Sequence, residues 1–271
     1  MTIFDAAIDQ IAQVGTNNEL DLPPFLPETI LALQQISSRK APGSDAIPTE
    51  VYKHGGPRLM AELTKLFLKM LHQGQVPHDF NDATTVHLYK RKWNRQLCHN
   101  PRGIKLLKIA GKLSPSCTNV AVDLTKAFDT VNREGLWKVM QKFGSPERFT
   151  HMVRQLHDGM TVRVTDNVTV SEAFAVSNGV KQGSVLAPTL FSLMLSAMLM
   201  DAYRAEQPGI RIAYRTDGHL LNSRRMQATT RVSMARVHAL LLVDDCALNT
   251  VVKEDMQRSM DLFAAGCANF G

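Results

Sequence analysis

The chain has 271 residues, 44% of them hydrophobic and 21% charged. This is ordinary globular usage, in a length that suits one large domain or two small ones. A net charge of +6 and a pI near 9.2 favour an anionic partner, nucleic acid first. None of the four cysteines stands in a C-x-x-C or zinc-finger spacing, which argues against a zinc site and for buried or free thiols in a reducing compartment.

Residues 1–26 open with a short apolar-periodic stretch (Ile3, Phe4, Ile8, Ile11) and then turn polar, with prolines close behind. They read as a leader or linker. No basic start precedes an apolar core, so no signal peptide is expected. Pro27-Glu28-Thr29-Ile30 opens a helix, with proline in the first turn and an acid at the positive end of the dipole. Ser37 to Asp45 is loop chemistry carrying Arg39 and Lys40. Pro57 to Gln73 predicts an amphipathic helix with Met60, Leu63, Leu66, Phe67, Met70 and Leu71 on one broad face, ended by Gly74 and Pro77. Thr84 to Lys92 predicts a strand running into the basic group Lys90-Arg91-Lys92.

Asn119 to Leu124 is a short apolar strand with one acid, Asp123. Phe128 and Asp129 follow, and then a helix with Leu136, Val139, Met140 and Phe143 on one face, closed by Gly144. Thr161 to Val176 predicts a hairpin turning at Asp166-Asn167. Asn178 to Ser184 is a glycine-containing turn that feeds a helix from Ala187 to about Ala205. The run Val185 to Met200 carries Pro188, Ser192 and Ser196 and is shorter than the ~18 apolar residues of a membrane span. It therefore reads as a buried core helix, and an intracellular protein with no membrane partner is expected. Ile210 to Tyr214 is a candidate strand, and Lys253 to Asn269 a final helix with Met256, Met260, Phe263 and Cys267 apolar.

Between these last two elements, Val237 to Val243 is an apolar run that ends on Asp244-Asp245 and resumes after them. Two carboxylates at the tip of a strand–turn–strand hairpin can leave an apolar wall and enter a cleft. Hard oxygen ligands of this kind suit Mg²⁺. Taken alone, an Asp-Asp pair is more often a solvated turn, and a lone Asp123 more often a capping or turn residue. A buried acid at a strand end is costly unless it is paired or binds a metal.

The order of these parts resembles the reverse transcriptases of non-LTR retrotransposons over most of residues 27–271. The marks are Arg39-Lys40-Ala41-Pro42-Gly43-Ser44-Asp45-Ala46-Ile47-Pro48, Pro101-Arg102-Gly103-Ile104-Lys105-Leu106-Leu107, Val122-Asp123-Leu124-Thr125-Lys126-Ala127-Phe128-Asp129, Asn178-Gly179-Val180-Lys181-Gln182-Gly183-Ser184-Val185-Leu186-Ala187-Pro188 and Leu242-Val243-Asp244-Asp245. The resemblance implies an α+β right-hand polymerase, with an antiparallel palm sheet backed by helices. Residues 27–118 would be fingers-like, mostly helical and incomplete, and residues 119–271 the palm. It implies nucleotidyl transfer from dNTPs to the 3′-hydroxyl of a DNA primer on an RNA template. Two Mg²⁺ ions (or Mn²⁺) would be held by Asp123, Asp244 and Asp245. Phe128 would exclude a ribose 2′-hydroxyl, Gln182 and Gly183 would line the nucleotide and template path, and Arg102 would meet the triphosphate.

Three departures from the family accompany these marks. Only 20 residues separate Arg102 from Asp123, so a piece of fingers and palm is expected to be missing. Leu242-Val243 stands where the family has an aromatic and then alanine. The chain stops at Gly271, where the family continues toward the thumb, so the thumb is expected to be absent, and no endonuclease domain is expected before residue 27. Two readings follow: an RNA-directed DNA polymerase domain, or a non-catalytic remnant of a degenerate element that retains nucleic-acid binding. A group II intron-type maturase shares the catalytic parts but not the flanking motifs.

Overall fold

The computed structural model of the chain describes residues 3–36, 38, 47–80, 83–86, 118–124, 126–166, 169–181, 184–206, 208–215, 232–237, 239–242 and 245–270. It is a mixed helix and strand structure, as an α+β chain requires. The chain divides into two units, the first drawn from Met1–Ile11, Leu97–Leu136 and Gln182–Gly271, the second from Ala12–Gln96 and Trp137–Lys181.

The first unit is built on an antiparallel sheet in the order β2 (Thr118–Asp123), β9 (Asp245–Thr250), β8 (Ala239–Leu242). Helix α9 (Lys253–Phe270) packs on β9 and β2, and α8 (Ala187–Ala202) packs on α9. Strand β9 is central, and Cys246, Leu248, Asn249 and Thr250 on it are fully buried. The short helix α1 (Ile3–Asp9) rests on α8 and α9. The apolar periodicity of the N-terminus is therefore used in packing, with Ile8 and Ile11 buried. Strands β6 (Ile210–Arg215) and β7 (Val232–Val237) form a separate antiparallel ribbon.

Helices α8 and α9 approach closely because Gly266 has no side chain. A Cβ there would lie 2.9 Å from the Ala202 Cβ and 3.3 Å from the Met198 Cγ. The Tyr203 hydroxyl closes the same contact on Ser259, 3.0 Å from its Oγ. Val185 does not join the core helix expected from its sequence. It precedes α8 and is 90% exposed, while the buried stripe is Leu190, Phe191, Met194, Leu195 and Met198. On α9 the buried positions are Met256, Ser259, Phe263, Gly266 and Phe270, and Met260 faces solvent. Small residues at 259 and 266 admit α8, which rotates Met260 off the buried face.

In the second unit α2 (Leu26–Gln35) packs on α3 (Thr49–His54) and α4 (Gly56–Gln73). The Glu28 carboxylate accepts from the Phe25 N–H at 3.2 Å, which satisfies one of the open donors of the first turn. Helix α4 ends on Gly74 (φ 63°), with Gln75 N–H to Met70 O and Gly74 N–H to Leu71 O, the two bonds of a left-handed C-terminal cap. Its buried positions are Met60, Thr64 and Leu71, not the whole expected face, and Leu66 is exposed.

Strand β1 (Ala83–Val86) runs parallel to β3 (Thr161–Asp166). The rest of the expected strand, from residue 87, lies outside the described residues. Strand β3 also carries β4 (Thr169–Val170) and β5 (Phe174–Ala175). The Asp166↔Thr169 register keeps Asp166 paired within β3, and Asn167, the other residue of the expected turn, lies outside the described residues. Helix α6 (Arg133–Lys142) buries Leu136, Val139 and Met140 as expected, whereas Phe143 follows its last residue and is only half-buried; α7 (Glu147–Gln155) comes next. Among the described residues no helix is long and apolar enough to cross a membrane.

Candidate active site

Two of the three acids singled out in the sequence meet through the backbone. β2 and β9 are antiparallel with Asp123 paired directly to Asp245, and β8 and β9 form a hairpin with Leu242 paired to Asp245. Opposed residues of an antiparallel pair have Cα atoms about 4.5–5.5 Å apart. The register thus puts Asp123, the last residue of β2, across from the first residue of β9. Asp244 precedes that residue in the chain and lies outside the described residues, as do Arg102, Gln182 and Gly183.

Strand β9 is held by burial behind the acid at its tip. Cys246 and Leu248 are completely buried, so the strand is anchored close behind its hairpin end. Burial pushes the Cys246 thiol up to about 12, with the neighbouring Cys267 adding to the effect. Both cysteines are free. At pH 8 this leaves about a thousandfold less thiolate than an ordinary cysteine, so Cys246 should resist iodoacetamide in the folded chain and react after denaturation, read by peptide mass spectrometry. The raised thiol also sets a sign. The unfolded chain loses this proton near pH 9 and the folded chain does not, so stability is full below pH 9 and falls as pH rises toward 12.

Phe128 lies on α5 (Ala127–Thr130), 9% exposed, with its ring 4.9 Å from the ring of Phe191 on α8 and tilted by 37°. The sequence did not single out Phe191 as its partner. Between Asp123 and Phe128 the chain passes through Lys126 in a left-handed conformation (φ 55°, ψ 31°), the one such non-glycine residue among the described residues. The Lys126 carbonyl accepts from Asp129 N–H at 2.8 Å and Thr130 N–H at 3.1 Å. A lysine in this region carries strain of order 1 kcal/mol. Here it allows a sharp reversal, bringing Phe128 back to α8 five residues after the strand ends. No residue type in Thr125-Lys126-Ala127 signals that turn. On the other side of the motif, the Ser184 hydroxyl accepts from Ala187 N–H at 3.1 Å. This hydroxyl holds the turn that delivers α8 and gives Ser184 a structural part that the motif alone did not show.

Among the described residues no group of three or more His, Cys, Asp or Glu is assembled as a metal site. The donor set that the backbone brings together is Asp123 and Asp245, with Asp244 adjoining. It is made of hard oxygen ligands only, the type that Mg²⁺ takes.

Comparison with known proteins bears on the same residues. A family model described as reverse transcriptase (RNA-dependent DNA polymerase) matches residues 58–271. The chain is 30% identical over 94 residues, 35% of its length, to the retrovirus-related Pol polyprotein from type-2 retrotransposable element R2DM of Drosophila melanogaster, covering 9% of that protein. It is 34% identical over 107 residues, 39% of its length, to the retrovirus-related Pol polyprotein from type-1 retrotransposable element R2 of Popillia japonica, covering 17% of that protein. The chain thus spans less than a fifth of the curated relatives it matches.

Proposed function

Since the chain belongs to the reverse transcriptase (RNA-dependent DNA polymerase) family, in its non-LTR retrotransposon branch, we propose that it extends a DNA primer with dNTPs along an RNA template by two-metal nucleotidyl transfer. The observation that carries this reading is the Asp123↔Asp245 register, which sets two acids 122 positions apart in the chain directly across from each other.

In this reading residues 119–271 act as palm and residues 27–118 as fingers. Asp123, Asp244 and Asp245 would hold the metal. The chemistry that two Mg²⁺ ions supply when bound is activation of the attacking 3′-oxygen and stabilisation of the leaving pyrophosphate. The backbone at Asp123 and Asp245 is held by a ladder of pairs from Thr118↔Thr250 onward, the kind of rigid element on which a site is best supported. Phe128, backed by Phe191, would present a fixed ring against the sugar and leave no room for a 2′-hydroxyl. Arg102 would contact the triphosphate and Gln182 and Gly183 the nucleotide and template. Contacts to the template backbone would be phosphate contacts, salt-dependent and tolerant of sequence.

The test is primer extension with an annealed RNA template, DNA primer, dNTPs and Mg²⁺. Extension by the native chain, abolished in Asp244→Asn, is expected. A native chain that binds RNA in a salt-sensitive way but extends nothing would instead be a non-catalytic remnant, and the proposal would fall.

A further inference from the structure

The second unit holds an open groove of about 530 Å³ where the C-terminal half of α4 and the segment that follows it face the end of α7. The volume is that of a small-ligand site. Resting partly on the nucleic-acid reading above, we propose that this groove binds a single-stranded stretch of nucleic acid.

Three features of the lining carry the proposal. Leu66 and Met70 provide an apolar wall, and this is where the expected core face of α4 fails to be buried. An apolar wall suits the face of a base, which stacks or packs with little regard to sequence. Gln73 and Gln75 place exposed amides on the rim, and an amide both donates and accepts, as base edges do. Lys69 supplies a positive charge and His78 a ring that can hydrogen-bond. Among the described residues neither has a hydrogen-bond or ion-pair partner, so both are available to phosphate. The acid at this groove, Asp158, is bridged to Arg154 at 3.2 Å, which offsets its charge.

The groove is also built rather than incidental. The Gln155 side chain accepts from Val76 N–H at 2.6 Å and donates to Gly74 O at 2.9 Å. One amide thereby fixes both sides of the turn that forms the groove wall, across 79 residues of sequence.

The experiment uses the full chain, with fluorescein-labelled 12-nucleotide RNA and DNA oligomers in parallel. Lys69→Gln/His78→Gln alters two exposed side chains. It should weaken binding about tenfold and flatten the dependence on salt by about one phosphate contact. Photo-cross-linking of 4-thiouridine RNA to the native chain should label the tryptic peptide 70–90. The stronger of the RNA and DNA arms identifies which strand the groove takes. Unchanged affinity in the double variant, or cross-links confined to other peptides, overturns the groove as a nucleic-acid site. Primer extension on the same preparation separates the two readings. A native chain that extends nothing while the double variant still loses affinity removes the polymerase and keeps the groove. Normal extension with no effect of the double variant does the reverse.

Discussion

Asp123→Asn should lower primer extension by about a thousandfold, the ~4 kcal/mol expected when a metal-holding carboxylate is lost from a two-metal centre. Asp245→Asn should do nearly the same, and the double variant should be little worse than either. Residues that act as one unit are not additive, because the first loss already removes what the second would take. The register makes this pair the one to test, since Asp123 and Asp245 are opposed in the sheet. It also predicts the opposite sign for stability. Like charges at directly opposed positions destabilise a sheet by roughly 0.2–1 kcal/mol, so each Asn variant should melt at or slightly above the native temperature without metal. Added Mg²⁺ should then raise the melting temperature of the native chain and not of the variants, because only the native site binds it. A variant that extends normally would remove Asp123 and Asp245 from the site. A variant that loses extension together with several degrees of melting temperature would make them structural acids.

The elements read most easily were those whose burial is one-sided and whose ends carry a stop. Helix α4 shows both, a long apolar period and Gly74 in the left-handed cap. Helix α8 was legible for another reason, since an apolar run this dense with Pro188 in its first turn reads as a largely buried helix. Helix α7 was not legible because it buries only Thr150 and Val153 of nine residues, too thin a stripe to show a period. Helix α3 has six residues and buries none. The strand pairings were beyond local pattern. β1 lies parallel to β3, far along the chain, and nothing in a run such as Ala83-Thr84-Thr85-Val86 names its partner. The candidate site divides the same way. Asp123 and Asp245 stood out as acids at the ends of apolar runs, and their register followed only from the fold. Lys126, Phe191 and the Gln155 bridge carry no sequence signal, because each depends on a turn or a contact far along the chain.

Gly144→Ala should be among the most destabilising single changes in the second unit, and Gly74→Ala, which changes the same kind of helix end, should be mild. Both glycines end helices with positive φ, 84° and 63°, and both helices close with the same pair of cap bonds. After α6 these are Gly144 N–H to Gln141 O and Ser145 N–H to Met140 O. Adding a methyl group in this conformation costs about 1 kcal/mol at either position. The surroundings differ. A Cβ on Gly74 meets nothing within 4 Å, whereas a Cβ on Gly144 would stand 2.3 Å from the carbonyl oxygen of Gly15. That oxygen belongs to backbone and cannot swing aside as a side chain would. Residues 13–17 are held there by Val14 N–H to Lys142 O and Asn17 N–H to Gly144 O, both 2.8 Å, and by Gln13 Nε2 to Gln141 O at 2.8 Å. The methyl group must therefore push this segment off the end of α6 and break bonds worth about 1 kcal/mol each. The expected total is about 3–5 kcal/mol for Gly144→Ala against about 1 kcal/mol for Gly74→Ala, with the melting temperature lower by about 10 °C and about 3 °C. Amide exchange gives the mechanism directly, since Val14 and Asn17 should lose protection in the first variant and keep it in the second. Equal effects of the two substitutions would mean that backbone conformation alone sets the cost and that residues 13–17 are not held against Gly144.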